Sequence, residues 1–352
     1  MVPVCPGYGI KERLGDGGFG TVYRAERKMD RRVYAIKVVK LSAGMSNLDL
    51  LEDEIYALSQ LSHPNVVSFI DVVEHKSVKH VVMEYCGRGD LRKFLNFHLE
   101  LCATVPESRI KSIFVQLLLA LHHCHHSFFG EWSLLHRNIK PENVLFSENG
   151  TVKLGDFGLS KILEASQQQA ISFVGTPGYL APANQEVFAG KRYGAHADKF
   201  SLGCLLYEMC ALDAPIFSGK DNKQPIQDSI PDTFSPEVKS LAGSLLQHEP
   251  SKRPSTADLL SRRYIAEWLR ELSSRPTPEC SIDHFEVLQA LNVREEGLSA
   301  RERSLNARER AFEAKEASLE AQMRRLALRA SLSPQPEAKT RTKQKSASPA
   351  QR

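Results

Sequence analysis

A chain of 352 residues with 42% apolar and 25% charged residues is large enough for two folded lobes and a tail, and its composition is that of a globular protein. The net charge of +4 resides in residues 333–352, where Lys339, Arg341, Lys343, Lys345 and Arg352 outnumber Glu337, so charge does not mark the folded part as a specific nucleic-acid binder. The seven cysteines are scattered without a C-x-x-C pair, which argues against a disulfide framework or zinc site and for thiols in a reducing compartment.

In chain order, residues 10–32 read as two short strands joined by Leu14-Gly15-Asp16-Gly17-Gly18-Phe19-Gly20-Thr21-Val22. The glycines at 15, 17 and 20 make G-x-G-x-x-G, a loop whose amides can approach phosphate oxygens because no Cβ intervenes. The pattern that follows, Thr21–Ala25, is a strand rather than a helix, which disfavours a dinucleotide fingerprint. Val33–Val39 alternates as a β-strand, and residues 66–73 and 80–85 read as two more. Between them, Leu48, Leu51, Ile55 and Leu58 recur at helical spacing over 47–61, with Glu54 beside that apolar stripe. Gly87, Gly89 and Asp90 mark a crossing into a second lobe.

That lobe opens on a long amphipathic helix carrying Ile110, Ile113, Phe114, Leu117, Leu118 and Leu121. Lys111, Ser112 and Gln116 interrupt it, so nothing reaches membrane-spanning length, and Met1–Ile10 has no leader pattern. A soluble protein of the cytoplasm, the nucleus or both, without membrane contact, is expected. His122 and His126 share a face at the helix end, but metal sites usually draw ligands from more than one element, so helix packing is the plainer reading.

His136-Arg137-Asn138-Ile139-Lys140-Pro141-Glu142-Asn143 followed by Asp156-Phe157-Gly158 resembles the catalytic loop and D-F-G segment of protein kinases. With the glycine loop and Ala35-Ile36-Lys37 in the same order, the resemblance covers about residues 8–272. It is closest to NIMA-related serine/threonine kinases, on Phe173-Val174-Gly175-Thr176-Pro177-Gly178-Tyr179, the Asp198…Ser201-Leu202-Gly203-Cys204 helix and the carboxy-terminal coil. The implied fold is α+β and two-lobed, with a β-rich lobe (8–83), a hinge (84–90) and a helical lobe (91–272). The implied activity is phosphoryl transfer from ATP, with Mg²⁺, to protein serine or threonine.

The resemblance places ATP against Leu14, Gly15, Gly17, Gly18, Phe19, Gly20, Val22, Ala35, Lys37, Glu84, Cys86 and Leu145, with Met83 as gatekeeper. It implies a Lys37–Glu54 ion pair, Mg²⁺ on Asn143 and Asp156, and charge neutralisation by Lys140. Ser172 falls where the family often carries an activating phosphate, Thr176 lies in the same regulatory segment, and Arg137 is placed to pair with that phosphate.

Two positions depart from the family. Asn138 stands where the catalytic aspartate is expected; an amide can accept a hydrogen bond from a hydroxyl but cannot take its proton at neutral pH. Loss of a general base costs roughly 10²–10⁴ in rate, or about 3–5 kcal/mol. Ala183 replaces the glutamate of A-P-E, whose buried partner resembles Arg253; losing one member of such a pair costs about 3–5 kcal/mol unless another acid, such as Glu186, substitutes. The expectation is therefore an ATP-binding kinase of weak or absent turnover, or alternatively a pseudokinase scaffold acting through protein contacts.

Beyond a Ser/Pro break, residues 273–297 read as a linker. Leu298, Leu305, Phe312, Leu319 and Leu326 then recur every seven residues, in a helix over 298–330. The second seam position is mostly charged, so a single charged helix and a coiled coil both remain open; homodimerisation is the use the resemblance implies if it pairs. Residues 331–352 read as a disordered basic tail.

Overall fold

A computed structural model describes residues 3–17, 20–40, 52, 55–56, 58–126, 132–157, 161–164, 179, 194–213 and 229–274. The chain divides into two units, Met1–Asn292 and Val293–Arg352. The second unit, with the heptad stretch and the basic tail, lies outside the described residues.

The amino-terminal part is an antiparallel sheet of β1 (Tyr8–Gly17), β2 (Gly20–Arg27), β3 (Val33–Lys40), β4 (Phe69–His75) and β5 (Val78–Glu84), in the order β1-β2-β3-β5-β4. Its own small core contains Tyr8, Ala25, Tyr34, Ile36, Val38 and Val82. Alternation along β3 sends Tyr34, Ile36 and Val38 into that core, and Ala35 and Lys37 to the opposite face.

The expected strands over 66–73 and 80–85 are displaced, for a local reason. Lys76 and Ser77 both have positive φ, 48° and 57°, and close a two-residue hairpin that pairs His75 with Val78. Two successive left-handed residues match the twist of the flanking strands, but Lys-Ser lacks the Asn-Gly chemistry by which such a turn is normally read. Val66 leaves the sheet to bridge Leu154, while Val67 N–H donates to the Leu154 carbonyl (2.9 Å) and Leu154 N–H to that of Asn65 (2.9 Å).

The second part is helical: α1 (Leu91–Glu100), α2 (Glu107–His126), α3 (Ala195–Ala211), α4 (Pro236–Leu245), α5 (Thr256–Leu260) and α6 (Arg263–Ser274). Asp90 caps α1 by accepting from Lys93 N–H, and Ser255 with Asp258 forms a capping box on α5. α2 and α3 are buried almost all round, so they form the axis on which the other helices pack; Phe114, Phe200, Leu117 and Leu205 are at most 1% exposed. Short strands β6 (Trp132–Leu135), β7 (Val144–Phe146), β8 (Val152–Leu154) and β9 (Lys161–Glu164) carry the loops between α2 and α3. The result is the expected α+β order, a sheet followed by segregated helices. Among the described residues, no helix is long and apolar enough to cross a membrane.

Candidate active site

The site is built where the 136–143 loop and the turn after β8 meet β3. Its anchor is Asp198, in the first turn of α3 and 1% exposed. Asp198 Oδ2 accepts from His136 N–H (2.9 Å) and Oδ1 from Arg137 N–H (2.8 Å), while His125 Nε2 on α2 lies 2.9 Å from Oδ2. Burial alone would push this carboxyl up; the hydrogen bond and charge of His125, with the loop donors, hold it below the usual range instead.

His136 continues the chain of contacts. Its Nε2–H donates to the Gly155 carbonyl (3.0 Å) and its Nδ1 accepts from Asn138 N–H (3.3 Å), which fixes the tautomer. Burial lowers its pKa, so the ring stays neutral in that role. Arg137 and Asp156 adopt positive φ, 66° and 55°. Non-glycine residues hold that conformation at a cost of about 1–3 kcal/mol each, and here one lies just after β6 and one just after β8.

The chemistry-bearing groups converge on Asp156. Lys37 Nζ, 3% exposed on its side chain, lies 3.4 Å from Asp156 Oδ1, and Asn138 Nδ2 donates to Asp156 Oδ2 (3.1 Å). Asn143 Nδ2 donates to the Asn138 carbonyl (2.7 Å), and its own carbonyl accepts from Gly155 N–H (2.9 Å). Asn143 thereby keeps its amide oxygen to offer a cation. Lys140 stands between Asn138 and Asn143 in the chain and is partly buried.

The glycine loop divides into two kinds of glycine. A Cβ on Gly15 would meet nothing within 4 Å, the open space a phosphate cradle requires. A Cβ on Gly20 would lie 2.3 Å from the Val38 carbonyl, so the neighbouring strand itself requires a glycine there. Leu14 is 40% exposed on β1; Gly15 pairs with Val22, and Gly17 with Gly20. Ala35 pairs with Met83 on β5, and Leu145 on β7 pairs with Lys153 on β8.

The Glu84 side chain is held by the protein itself. The Glu84 N–H donates to the Ser68 carbonyl (2.9 Å), and its carboxylate accepts from Ser68 N–H (2.7 Å) and pairs with Lys153 Nζ (2.7 Å). A purine at this hinge would therefore rely on main-chain groups. Among the described residues the Cys86 amide makes no hydrogen bond, which suits a base seated there. Hard oxygens on Asn143 and Asp156, the open side of Gly15 and that amide together fit a magnesium nucleotide.

Gly18, Phe19, Glu54, Ser172, Thr176, Ala183 and Glu186 lie outside the described residues. The residue expected to suffer from Ala183 is described. Arg253, 3% exposed, donates from Nε to the Gln247 carbonyl (2.7 Å), from Nη1 to that of His196 (3.0 Å) and from Nη2 to that of His248 (3.0 Å). Its guanidinium also lies 4.8 Å from the Phe200 ring centre. Among the described residues no carboxylate pairs with it, and burial lowers its pKa to about 10. Carbonyl dipoles and a ring face thus compensate the charge, and a replacement acid is not required.

Two further groups escaped the motif reading. Arg92 on α1 donates to Glu142 Oε1 (2.8 Å), Glu208 Oε1 (2.5 Å) and the Tyr179 hydroxyl (2.7 Å), and Tyr179 donates to the other Glu208 oxygen. The second is His125, which reaches Asp198 of the family-like helix; its signal was an imidazole on the buried side of α2. His122 and His126 stack with ring centres 4.5 Å apart, and the described residues contain no group of three or more ligands able to hold a metal.

The protein kinase domain family matches residues 8–265. The chain is 34% identical over 285 residues to the G2-specific protein kinase nim-1 of Neurospora crassa, covering 72% of this chain and 33% of that one. It is 35% identical over 267 residues to the serine/threonine-protein kinase Nek5 of Homo sapiens, covering 73% and 36%. With the human serine/threonine-protein kinase Nek2 it shares 34% identity over 306 residues, covering 82% and 68%. The chain spans about a third of the first two relatives and about two thirds of the last.

Proposed function

Since this chain belongs to the protein kinase family, in its NIMA-related serine/threonine branch, we propose that it binds ATP with Mg²⁺ and transfers phosphate to protein serine or threonine weakly or not at all. The family uses ATP and Mg²⁺. Asn143 and Asp156 would hold the cation, which when bound neutralises charge on the phosphate oxygens. Lys37 and Lys140 supply positive charge from the protein itself, and the strand glycine at 15 leaves room for the phosphates.

The observation that carries the reading is the Asn138–Asp156 hydrogen bond. It uses the amide as a donor at the one position where the reaction calls for a proton acceptor. An amide at 138 can accept a hydrogen bond from a hydroxyl but cannot take its proton at neutral pH. With a largely dissociative transition state the loss is partial, about 10²–10⁴ in rate. Phosphate transfer to a generic protein substrate, compared with Asn138→Asp, tests this. Wild-type turnover equal to that of the variant sinks the argument, and a thermal shift that fails to appear at saturating Mg²⁺-ATP sinks the nucleotide site.

A nucleotide-binding scaffold acting through protein contacts is the second reading. It is favoured by the Asp198 hub, which holds the loop by bonds that involve no base chemistry. We assign 8–272 to the kinase domain, 273–297 to a linker, 298–330 to a helix and 331–352 to a tail. If that helix pairs with a second copy the chain is a homodimer, and deletion of 298–330 should then reduce the solution mass to that of a monomer.

A further inference from the structure

One two-stranded ribbon holds the hinge, residues 84–90, at both ends. It consists of β7 and β8, with Leu145 opposite Lys153. At the far end the contacts are main-chain: Arg88 N–H donates to the Phe146 carbonyl (3.2 Å), Phe146 N–H to that of Gly89 (2.9 Å), and Asp90 bridges Leu145. Midway, a Cβ on Gly87 would collide with the carboxylate of Glu148, which lies in the turn between β7 and β8. At the near end the contact is between side chains. Lys153 Nζ stands 2.7 Å from Glu84 Oε1, and both side chains are mostly buried. Ser68 N–H donates to the same oxygen (2.7 Å), and Lys153 Nζ also reaches the Val66 carbonyl (3.4 Å). Between the two ends, among the described residues, the Cys86 amide makes no hydrogen bond.

From this geometry we infer that Lys153 is a positioning residue for the base: its ion pair with Glu84 sets the near end of the hinge, and so the place where the Cys86 amide is offered. The inference rests on the nucleotide site proposed above and specifies what holds its base-binding edge. The two ends differ in kind. Main-chain bonds at the far end do not depend on residue type, whereas the near end depends on two side chains from strands far apart in the chain. A pair mostly out of water is little screened, so it holds its geometry better than a surface pair. Each partner also keeps a second polar contact, Ser68 N–H for Glu84 and the Val66 carbonyl for Lys153. Loss of one charge therefore frees the hinge without leaving the other group bare.

Calorimetric titration of the full chain with adenosine, which carries no phosphate, reads the base-binding edge alone; Mg²⁺-ADP serves as the second ligand. Lys153→Met and Glu84→Gln should each weaken adenosine and Mg²⁺-ADP by about three- to tenfold, the scale on which paired residues couple. The double variant should be no more than about twofold weaker than the weaker single one, because the two side chains act as a unit. It strands no charge, so it carries the test if a single variant fails to fold. Unchanged adenosine affinity in the folded variants would overturn the inference while leaving the nucleotide site intact, and any fall in melting temperature would then report packing alone. Losses that multiply in the double variant would also overturn it, since each side chain would then act by itself. Failure of the folded wild type to bind either ligand would overturn the underlying nucleotide reading as well.

Discussion

His125 Nε2 lies 2.9 Å from Asp198 Oδ2, joining the two most buried helices at the point where the 136–143 loop is attached. The same carboxylate holds the first two amides of that loop, so one side chain sets both the helix packing and the position of Asn138. Asp198→Ala leaves three buried donors without an acceptor. We expect a loss of about 3–5 kcal/mol in urea denaturation. A loss below about 1 kcal/mol would show that the loop is held elsewhere.

Arg253 makes a second case in which the partner is not the one the motif suggests. Arg253→Met strips donors from three carbonyls and should cost about 3 kcal/mol or more, read as a lowered denaturation midpoint. Arg253→Lys should recover only part of this, because an ammonium cannot reproduce the planar fork. Full recovery by lysine would mean that charge alone matters at the site.

Arg92 neutralises Glu208, whose side chain is 3% exposed. Arg92→Met leaves that carboxylate buried and unpaired, and about 3 kcal/mol of stability should be lost. Adding Glu208→Gln removes the stranded charge, so the double variant should be more stable than the sum of the two single effects by about 1–3 kcal/mol. Additive single effects would argue against a coupled cluster of Arg92, Glu208 and Tyr179.

Acid should destabilise the fold well before its carboxylates titrate. Burial lowers His63, aided by His123 and Lys153, from 6.5 to about 4. Burial lowers His196 over the same interval, aided by Arg253 and Lys199. The folded pKa lies below the unfolded one, so the unfolded chain binds more protons in between. Stability from these groups is complete above pH 6.5 and is lost as pH falls towards about 4. Denaturation midpoints across that interval should slope less in His63→Gln and His196→Gln than in wild type. An unchanged slope in both variants would place the titration on other groups.

The element order was readable because it rests on local periodicity: alternation in β3, and apolar residues at helical spacing in α2. The hairpin at Lys76–Ser77 was not, because those residue types give no sign of two left-handed conformations in succession. Gly20 shows the same limit from the other side. As part of G-x-G-x-x-G it suggests phosphate contact, yet its missing Cβ makes room for the Val38 carbonyl. Asp198 was visible in the sequence as the start of the family-like helix segment, but its partners are 61 to 73 residues away along the chain. Glu84 was assigned to the hinge for its main-chain groups; that Ser68 and Lys153 hold its side chain could not be read from the sequence.

From sequence alone came the family, the order of strands and helices, and the loss of a proton acceptor at 138, since an amide lacks that capacity in any fold. Tertiary structure decided where each uncommon residue spends its hydrogen bonds. It aimed the Asn138 nitrogen at Asp156, gave Arg253 three carbonyls in place of a carboxylate, and filled the Glu142–Glu208 pair with Arg92. These pairings join segments far apart in the chain. They are set by where the buried helices and the positive-φ residues Arg137 and Asp156 direct their neighbours, and no local pattern of residue types encodes that direction.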